Sequence, residues 1–207
     1  MMATAQPAER HTDTEPEFSL QIAELLPAQG EWSEEDYLWL TDSTNRMIEF
    51  TNGRIDVLPM PTEHHQAISA YLYMALLTFI TRIGGKIFYA PLRVRVKARK
   101  FREPDLLLLL SADDPRRHNR FWEGADLVVE IVSPENPDRD LVKKRRDYAQ
   151  AGIPEYWIVN PQIETITVLR LERTKYVEHG VFARGAVASS VLLPEFAVSV
   201  DEVFDAN

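Results

Sequence analysis

The chain has 207 residues, 45% of them hydrophobic, enough for one domain of ordinary size with a sizeable core and an extension. It has no cysteine, which excludes disulfides, zinc–thiolate sites and cysteine nucleophiles together and makes a reducing cytoplasm the expected compartment. The formal charge of −9 argues against a nucleic-acid partner until its distribution is read: residues 1–36 hold nine acids and one base, leaving 23 acids and 22 bases in the rest.

Residues 1–30 are polar and acidic, with Pro7, Pro16 and Pro27 among Gln, Thr and Glu, and are expected to be a flexible arm ahead of a single domain over 31–207. The arm has no apolar core of a signal peptide, and no apolar run of the chain is long enough to span a bilayer, so no membrane partner is expected. Ser33 followed by Asp36 resembles a capping box that opens a short helix, "EEDYLWL". "MIEFTNGRIDVL" is two short apolar runs around Asn52-Gly53, a hairpin signal because both residues tolerate positive φ. A long helix follows from about Glu63 to Arg82, with Ile68, Leu72, Ala75, Leu76, Phe79 and Ile83 at three- or four-residue spacing, ended by Gly84-Gly85.

"LRVRVKAR" alternates, with Leu92, Val94, Val96 and Ala98 on one face and Arg93, Arg95, Lys97 and Arg99 on the other, as a half-buried antiparallel strand does. "PDLLLLL" and "ADLVVEIVS" are apolar on both faces and read as central strands, with "SADDPRRHNRFWEG" as the loop between them. Asn136-Pro137-Asp138 starts a helix that stops at Gly152. "EYWIV", the turn "NPQIE" and "TITVLRL" form a hairpin, and the remainder gives further strand pairs and a short closing element. The order predicts a mixed α/β fold, a central mixed sheet flanked by helices, and not an alternating doubly wound one.

Glu130 stands alone among apolar residues in "LVVEIVSP", and a carboxylate there is costly unless something pairs with it. Asp105 opens the preceding central strand. If the two strands are neighbours, their carboxylates converge at one end of the sheet, and two hard oxygen donors suit Mg²⁺ or Mn²⁺. The plainer alternative is that Asp105 caps a turn and Glu130 makes a buried ion pair. A lysine two residues after the glutamate would complete such a site, but that position is Val132. On a helical wheel at about 100° per residue, Leu141, Lys144 and Tyr148 share one stripe with Asp140 beside them, so Lys144 can bring its ammonium to the strand end, or pair with Asp140 or Tyr148 instead. His65 lies on the inward face of the long helix in its first turn, as a ligand or as a satisfied cap, while Glu49 on the first hairpin strand is a further buried acid. Arg93, Arg95, Lys97 and Arg99, continuing to Lys100 and Arg102, and a second cluster of Lys143, Arg145 and Arg146, can follow a phosphate backbone or simply face solvent. No glycine-rich phosphate loop, zinc-histidine pair or serine elbow is present.

With these residues in place, the chain resembles the Uma-two family of restriction endonucleases, a branch of the PD-(D/E)XK nuclease superfamily, from about Glu31 to Phe204. The resemblance rests on "MIEFTNGRI", "HHQAI", "REPDLLLL", "DLVVEIVSP" and above all "DLVKKRRDYAQAGIPEYWIVNP". It implies a restriction-endonuclease-like core with a divalent-metal site at the sheet edge: Asp105 and Glu130 as metal-binding acids, Lys144 as the lysine moved from strand to helix, and His65 and Glu49 at matching positions. Arg54 departs from the family pattern, which often has an acid after the hairpin glycine.

The expected function is therefore a Mg²⁺- or Mn²⁺-dependent endonuclease acting on DNA, with a homodimer as the form that cuts both strands. Its rivals are a non-cleaving module of the same fold that binds nucleic acid or a protein, and a glycosidase using the paired acids.

Overall fold

A run such as Leu106–Leu109 suits only a strand covered on both faces, and all four leucines are fully buried, each contributing about 1.5–3 kcal/mol. The computed structural model describes residues 26–207. Helix α1 is Glu34–Asp42, and the hairpin β1–β2 is Ile48–Thr51 with Arg54–Val57. Helix α2 is Glu63–Arg82; strands β3 to β7 are Lys86–Tyr89, Val94–Lys97, Lys100–Arg102, Leu106–Leu109 and Leu127–Ile131. A π-helical turn, Arg139–Lys144, runs into α3, Arg145–Gln150. Strands β8 to β12 are Glu155–Asn160, Thr165–Glu172, Lys175–Ala183, Val187–Ser189 and Ala197–Ser199, and α4 is Val200–Phe204. The predicted acidic arm lies outside the described residues over 1–25.

The large sheet has the order β10-β9-β8-β7-β6-β3, with β7 and β8 parallel and the other pairs antiparallel. The two apolar runs are thus central neighbours, in the register Leu106↔Val129. Their alternation divides the core. Leu106, Leu108, Val129 and Ile131 cluster with Ile68, Leu72, Leu76 and Ile80 of α2, whereas Leu107, Leu109 and Val128 cluster with Tyr148 of α3 and with Tyr156 and Ile158. Glu130 has the parity of Val128, so it faces α3. Ile83 is the C-cap residue of α2 and is exposed, so the buried stripe ends at Ile80.

A smaller sheet, β2-β1-β5-β4, stands beside the first and carries α1. The capping box of Ser33 and Asp36 is formed, and the Tyr37 hydroxyl donates to the Ile48 carbonyl at 2.8 Å. Asn52 and Gly53 both have positive φ, 48° and 85°, as the hairpin turn requires. Gly53 is also needed for close approach: a Cβ there would meet the Gly30 carbonyl oxygen at 2.2 Å. The run Leu92–Arg99 is not one strand. It pairs only over Val94–Lys97, turns at Ala98-Arg99 with Arg99 at φ 57°, and returns as β5. The turn breaks the expected row of basic side chains.

Candidate active site

Extending the β6–β7 register by one residue sets Asp105 opposite Glu130 at the strand ends. The Asp105 Oδ2 atom accepts from the Ile131 N–H at 2.7 Å, so the end of β7 orients it. His65 reaches the same oxygen with Nε2, at 3.4 Å. Its place in the first turn of α2 is set by the N-cap, where the Thr62 hydroxyl accepts from the His65 N–H at 3.2 Å. Burial lowers the His65 pKa, but the hydrogen bond and charge of Asp105 outweigh that and hold it above the ordinary histidine value.

Glu130 is gripped from the helix side. Lys144 Nζ donates to Oε2 at 2.7 Å, and the Tyr148 hydroxyl donates to Oε1. The same ammonium lies 3.3 Å from Glu49 Oε1 and 3.3 Å from Asp140 Oδ1. Asp140, Lys144 and Tyr148 are four residues apart in succession, and all three are buried. Leu141, which the wheel placed on the inward stripe, is exposed, as the π-helical winding of Arg139–Lys144 departs from the α-helical period. Tyr156 secures that winding by donating to the Asp140 carbonyl at 2.9 Å. Val132, where a strand lysine would stand, packs in the apolar cluster that contains Tyr148 and Ile158.

The site also holds acids and bases that sequence reading did not select. Glu103 is buried and accepts from the Ile48 N–H at 3.2 Å. Arg102, read as part of a surface face, is buried, 2.5 Å from Asp147 and 3.6 Å from Glu49. The signal for Glu103 was its spacing, two residues before Asp105 in "FREPD". Asp105, Glu130, Glu103, Asp140, His65 and Lys144 all line one cleft of about 150 Å³. Glu49 does not open to it but lies behind Lys144, on a second groove.

Apart from the Arg102–Asp147 pair, five carboxylates, Asp105, Glu130, Glu103, Asp140 and Glu49, thus surround one lysine and one histidine. Burial lowers the Lys144 pKa, but Glu130, Glu49, Asp140 and Asp105 outweigh it, so its ammonium is held well above the ordinary lysine value. One ammonium cannot neutralise the remainder. Burial, then repulsion from Asp140, Asp105 and Glu49, pushes Glu130 well up against the pull of Lys144, and Asp140 is raised by burial and by Asp105 and Glu49. Glu103 is pushed up to about 8 by burial and Glu49. Glu155 is equally buried and accepts from four neutral donors, from Trp157, Ser190, Val191 and Leu192, which tie it to the 190–192 loop.

A raised carboxylate binds more protons folded than unfolded. Its contribution is therefore complete below the unfolded pKa and is lost as pH rises through the folded one. For Glu103 that window runs from 4.5 to about 8. Glu103→Gln keeps an acceptor for Ile48 and cannot ionise, so urea unfolding should show it about 2 kcal/mol more stable than the parent at pH 8, with little difference at pH 4. An equal difference at both pH values would remove charge crowding as the cause.

Among the basic residues expected to follow a phosphate backbone, Arg93 and Arg95 are committed within the fold. Arg93 pairs with Asp42 at 2.8 Å, and Arg95 with Glu34 at 2.7 Å. Arg99 donates to the Trp32 carbonyl from its side chain and to Glu34 from its backbone. Lys97, Lys143 and Arg146 are exposed and form no ion pair among the described residues. Lys97 stands on β4, apart from the other two.

Among the described residues, no group of three His, Cys, Asp or Glu side chains is arranged to hold a metal ion. Two of the three buried side-chain polar atoms without a hydrogen-bond partner among the described residues, Glu49 Oε1 and His65 Nδ1, belong to this cluster.

A family model described as "Uma2: Putative restriction endonuclease" matches residues 34–201. Among solved structures, the chain is similar to one described as "a putative nuclease belonging to DUF820 from Anabaena variabilis", with TM-score 0.63 and 21% identity over 76% of this chain and 89% of that one. At that identity the likeness shows the fold, which is the restriction-endonuclease-like mixed α/β fold. No curated protein matches the chain.

Proposed function

The chain belongs to the Uma2 family, and we propose that it is a divalent-metal-dependent endonuclease that hydrolyses DNA phosphodiester bonds. The observation that carries this reading is the surplus of buried carboxylate at the ends of β6 and β7, facing a cleft, with a lysine among them. Such a surplus is relieved by a cation. The donor set fits Mg²⁺ or Mn²⁺, which take oxygen ligands and are held by as few as one or two carboxylates, with water and phosphate filling the other positions. Asp105 and Glu130 would hold the ion, with a carbonyl such as that of Ile131. Its chemistry when bound is a more acidic water and positive charge beside the phosphate.

The protein's own groups orient that chemistry. Tyr148 and Lys144 hold the Glu130 carboxylate in place, and the Ile131 N–H and His65 hold Asp105. Lys144 supplies a fixed positive charge toward the charge that develops on phosphate and orients the attacking water; this is worth more in a buried site than in solvent. A lysine beside paired acids fits phosphate chemistry better than sugar chemistry, so the glycosidase reading is set aside.

Binding of Mn²⁺ can be followed directly by electron paramagnetic resonance of the free ion. Glu130→Gln should weaken it by at least about tenfold. Because the ion displaces protons from raised carboxylates, parent affinity should increase as pH rises. Affinity that is flat in pH and unchanged by Glu130→Gln would count against these ligands.

The second reading is a non-cleaving nuclease-fold module that binds nucleic acid or a protein. It is favoured by one observation, that Lys144 and Tyr148 already take both Glu130 oxygens. It predicts binding without cleavage, unaffected by Glu130→Gln. A homodimer is proposed as the form that cuts both strands, since each chain offers one such site. The compartment proposed is the cytoplasm. No helix of the described residues is long and apolar enough to cross a membrane.

A further inference from the structure

We propose that a second groove, behind Lys144, binds the phosphate backbone of the nucleic acid, with Arg54, Lys143 and Arg146 as its contacts. The groove has a volume of about 400 Å³ and runs between the polar face of the small sheet and the helix of Arg139–Gln150. Strand register builds one wall. Thr51 faces Arg54 on β2 and Lys100 on β5, so these three side chains lie in a row across the sheet on one face. Lys143 and Arg146 come from the helix opposite.

The three carboxylates of the groove, buried Glu49 and Asp147 and exposed Asp56, already have cationic partners. Asp147 takes Lys100 at 2.7 Å and Arg102 at 2.5 Å, Asp56 takes Arg139 at 3.0 Å, and Glu49 lies 3.3 Å from Lys144. These pairs stitch sheet to helix. The rim is different: Arg54, Lys143 and Arg146 are exposed and have no acidic partner among the described residues. Seven cationic side chains thus line the groove against three carboxylates, in a chain whose net charge is −9. Arg93 and Arg95, by comparison, each have an acid.

Position connects the groove to the cleft. Arg139 and Lys144 line both, so a strand whose phosphate is at Asp105 and Glu130 would have neighbouring phosphates along the rim. This rests on the nuclease reading only for the identity of the ligand.

The test uses the full chain and a fluorescein-labelled DNA oligonucleotide, with anisotropy measured in EDTA over a series of salt concentrations. The triple variant Arg54→Ser/Lys143→Ser/Arg146→Ser should melt like the parent, since all three side chains are exposed. It should bind at least about tenfold more weakly, with the slope of log affinity against log salt smaller by about 2–3. Arg82→Ser, an exposed cation at the end of α2 and outside the groove, should leave both unchanged. Parent-like affinity and slope in the triple variant, an equal loss in Arg82→Ser, or no binding by the parent would each overturn the proposal. Cleavage in Mg²⁺ is scored separately. If the triple variant binds normally while cutting still needs Asp105, the groove reading falls and the nuclease reading stands. If the triple variant binds weakly as expected and the parent cuts nothing, the groove reading stands and the nuclease reading falls.

Discussion

Lys144→Met should lower stability by about 3–5 kcal/mol, the cost of leaving buried charge without its partner. Methionine keeps much of the stem, so packing loss is small and the effect isolates the ammonium. Lys144 is almost fully buried and touches Glu130, Glu49 and Asp140. Without it, their mutual repulsion goes unopposed. The loss should be larger at pH 8 than at pH 5, because the crowded carboxylates take up protons at low pH. Adding Glu130→Gln to Lys144→Met should restore part of the stability, a coupling that a double-mutant cycle in urea measures. If Lys144→Met is as stable as the parent at pH 8, the five acids are not crowded and the case for a cation weakens.

Asp105→Ala and Glu130→Ala should each reduce metal-dependent DNA cleavage by at least about a hundredfold, the scale on which single electrostatic groups act in such sites. Their stability effects should diverge. Asp105→Ala strands the Ile131 N–H that Oδ2 accepts from and costs about 1–2 kcal/mol. Glu130→Ala removes the most buried member of an overfilled cluster, which offsets much of the cavity it leaves. Loss of activity with little loss of stability in Glu130→Ala marks the carboxylate as held for function. Cleavage near the parent level in either variant would remove that residue from the site.

Much of the fold could be read from pattern alone. Full burial on both faces follows from the leucine run, the long helix from its apolar spacing, and the first hairpin from Asn52-Gly53. Asp105 and Glu130 could be paired because each opens or closes a central strand, and Lys144 because it lies four residues from both Asp140 and Tyr148. Three features were hidden for physical reasons. A π-helical turn has no clear sequence period, so the wheel turned Leu141 inward when it faces solvent. The basic run Arg93–Arg99 alternates like a strand, but a tight turn at Ala98-Arg99 ends it, and its partners Asp42 and Glu34 come from a helix more than fifty residues earlier. Arg102 read as part of a basic face and Glu103 was not selected, since only tertiary packing brings them against Asp147 and Glu49.

On the proposed reading, this cluster of acids works on phosphodiesters through a divalent ion. The most direct measurement is supercoiled plasmid incubated with the parent chain in Mg²⁺, in Mn²⁺ and in EDTA, with Asp105→Ala beside it. The expected result is nicked or linear product with either metal for the parent, and none in EDTA or with Asp105→Ala. Product that persists in EDTA, or an intact plasmid with both metals, would contradict it.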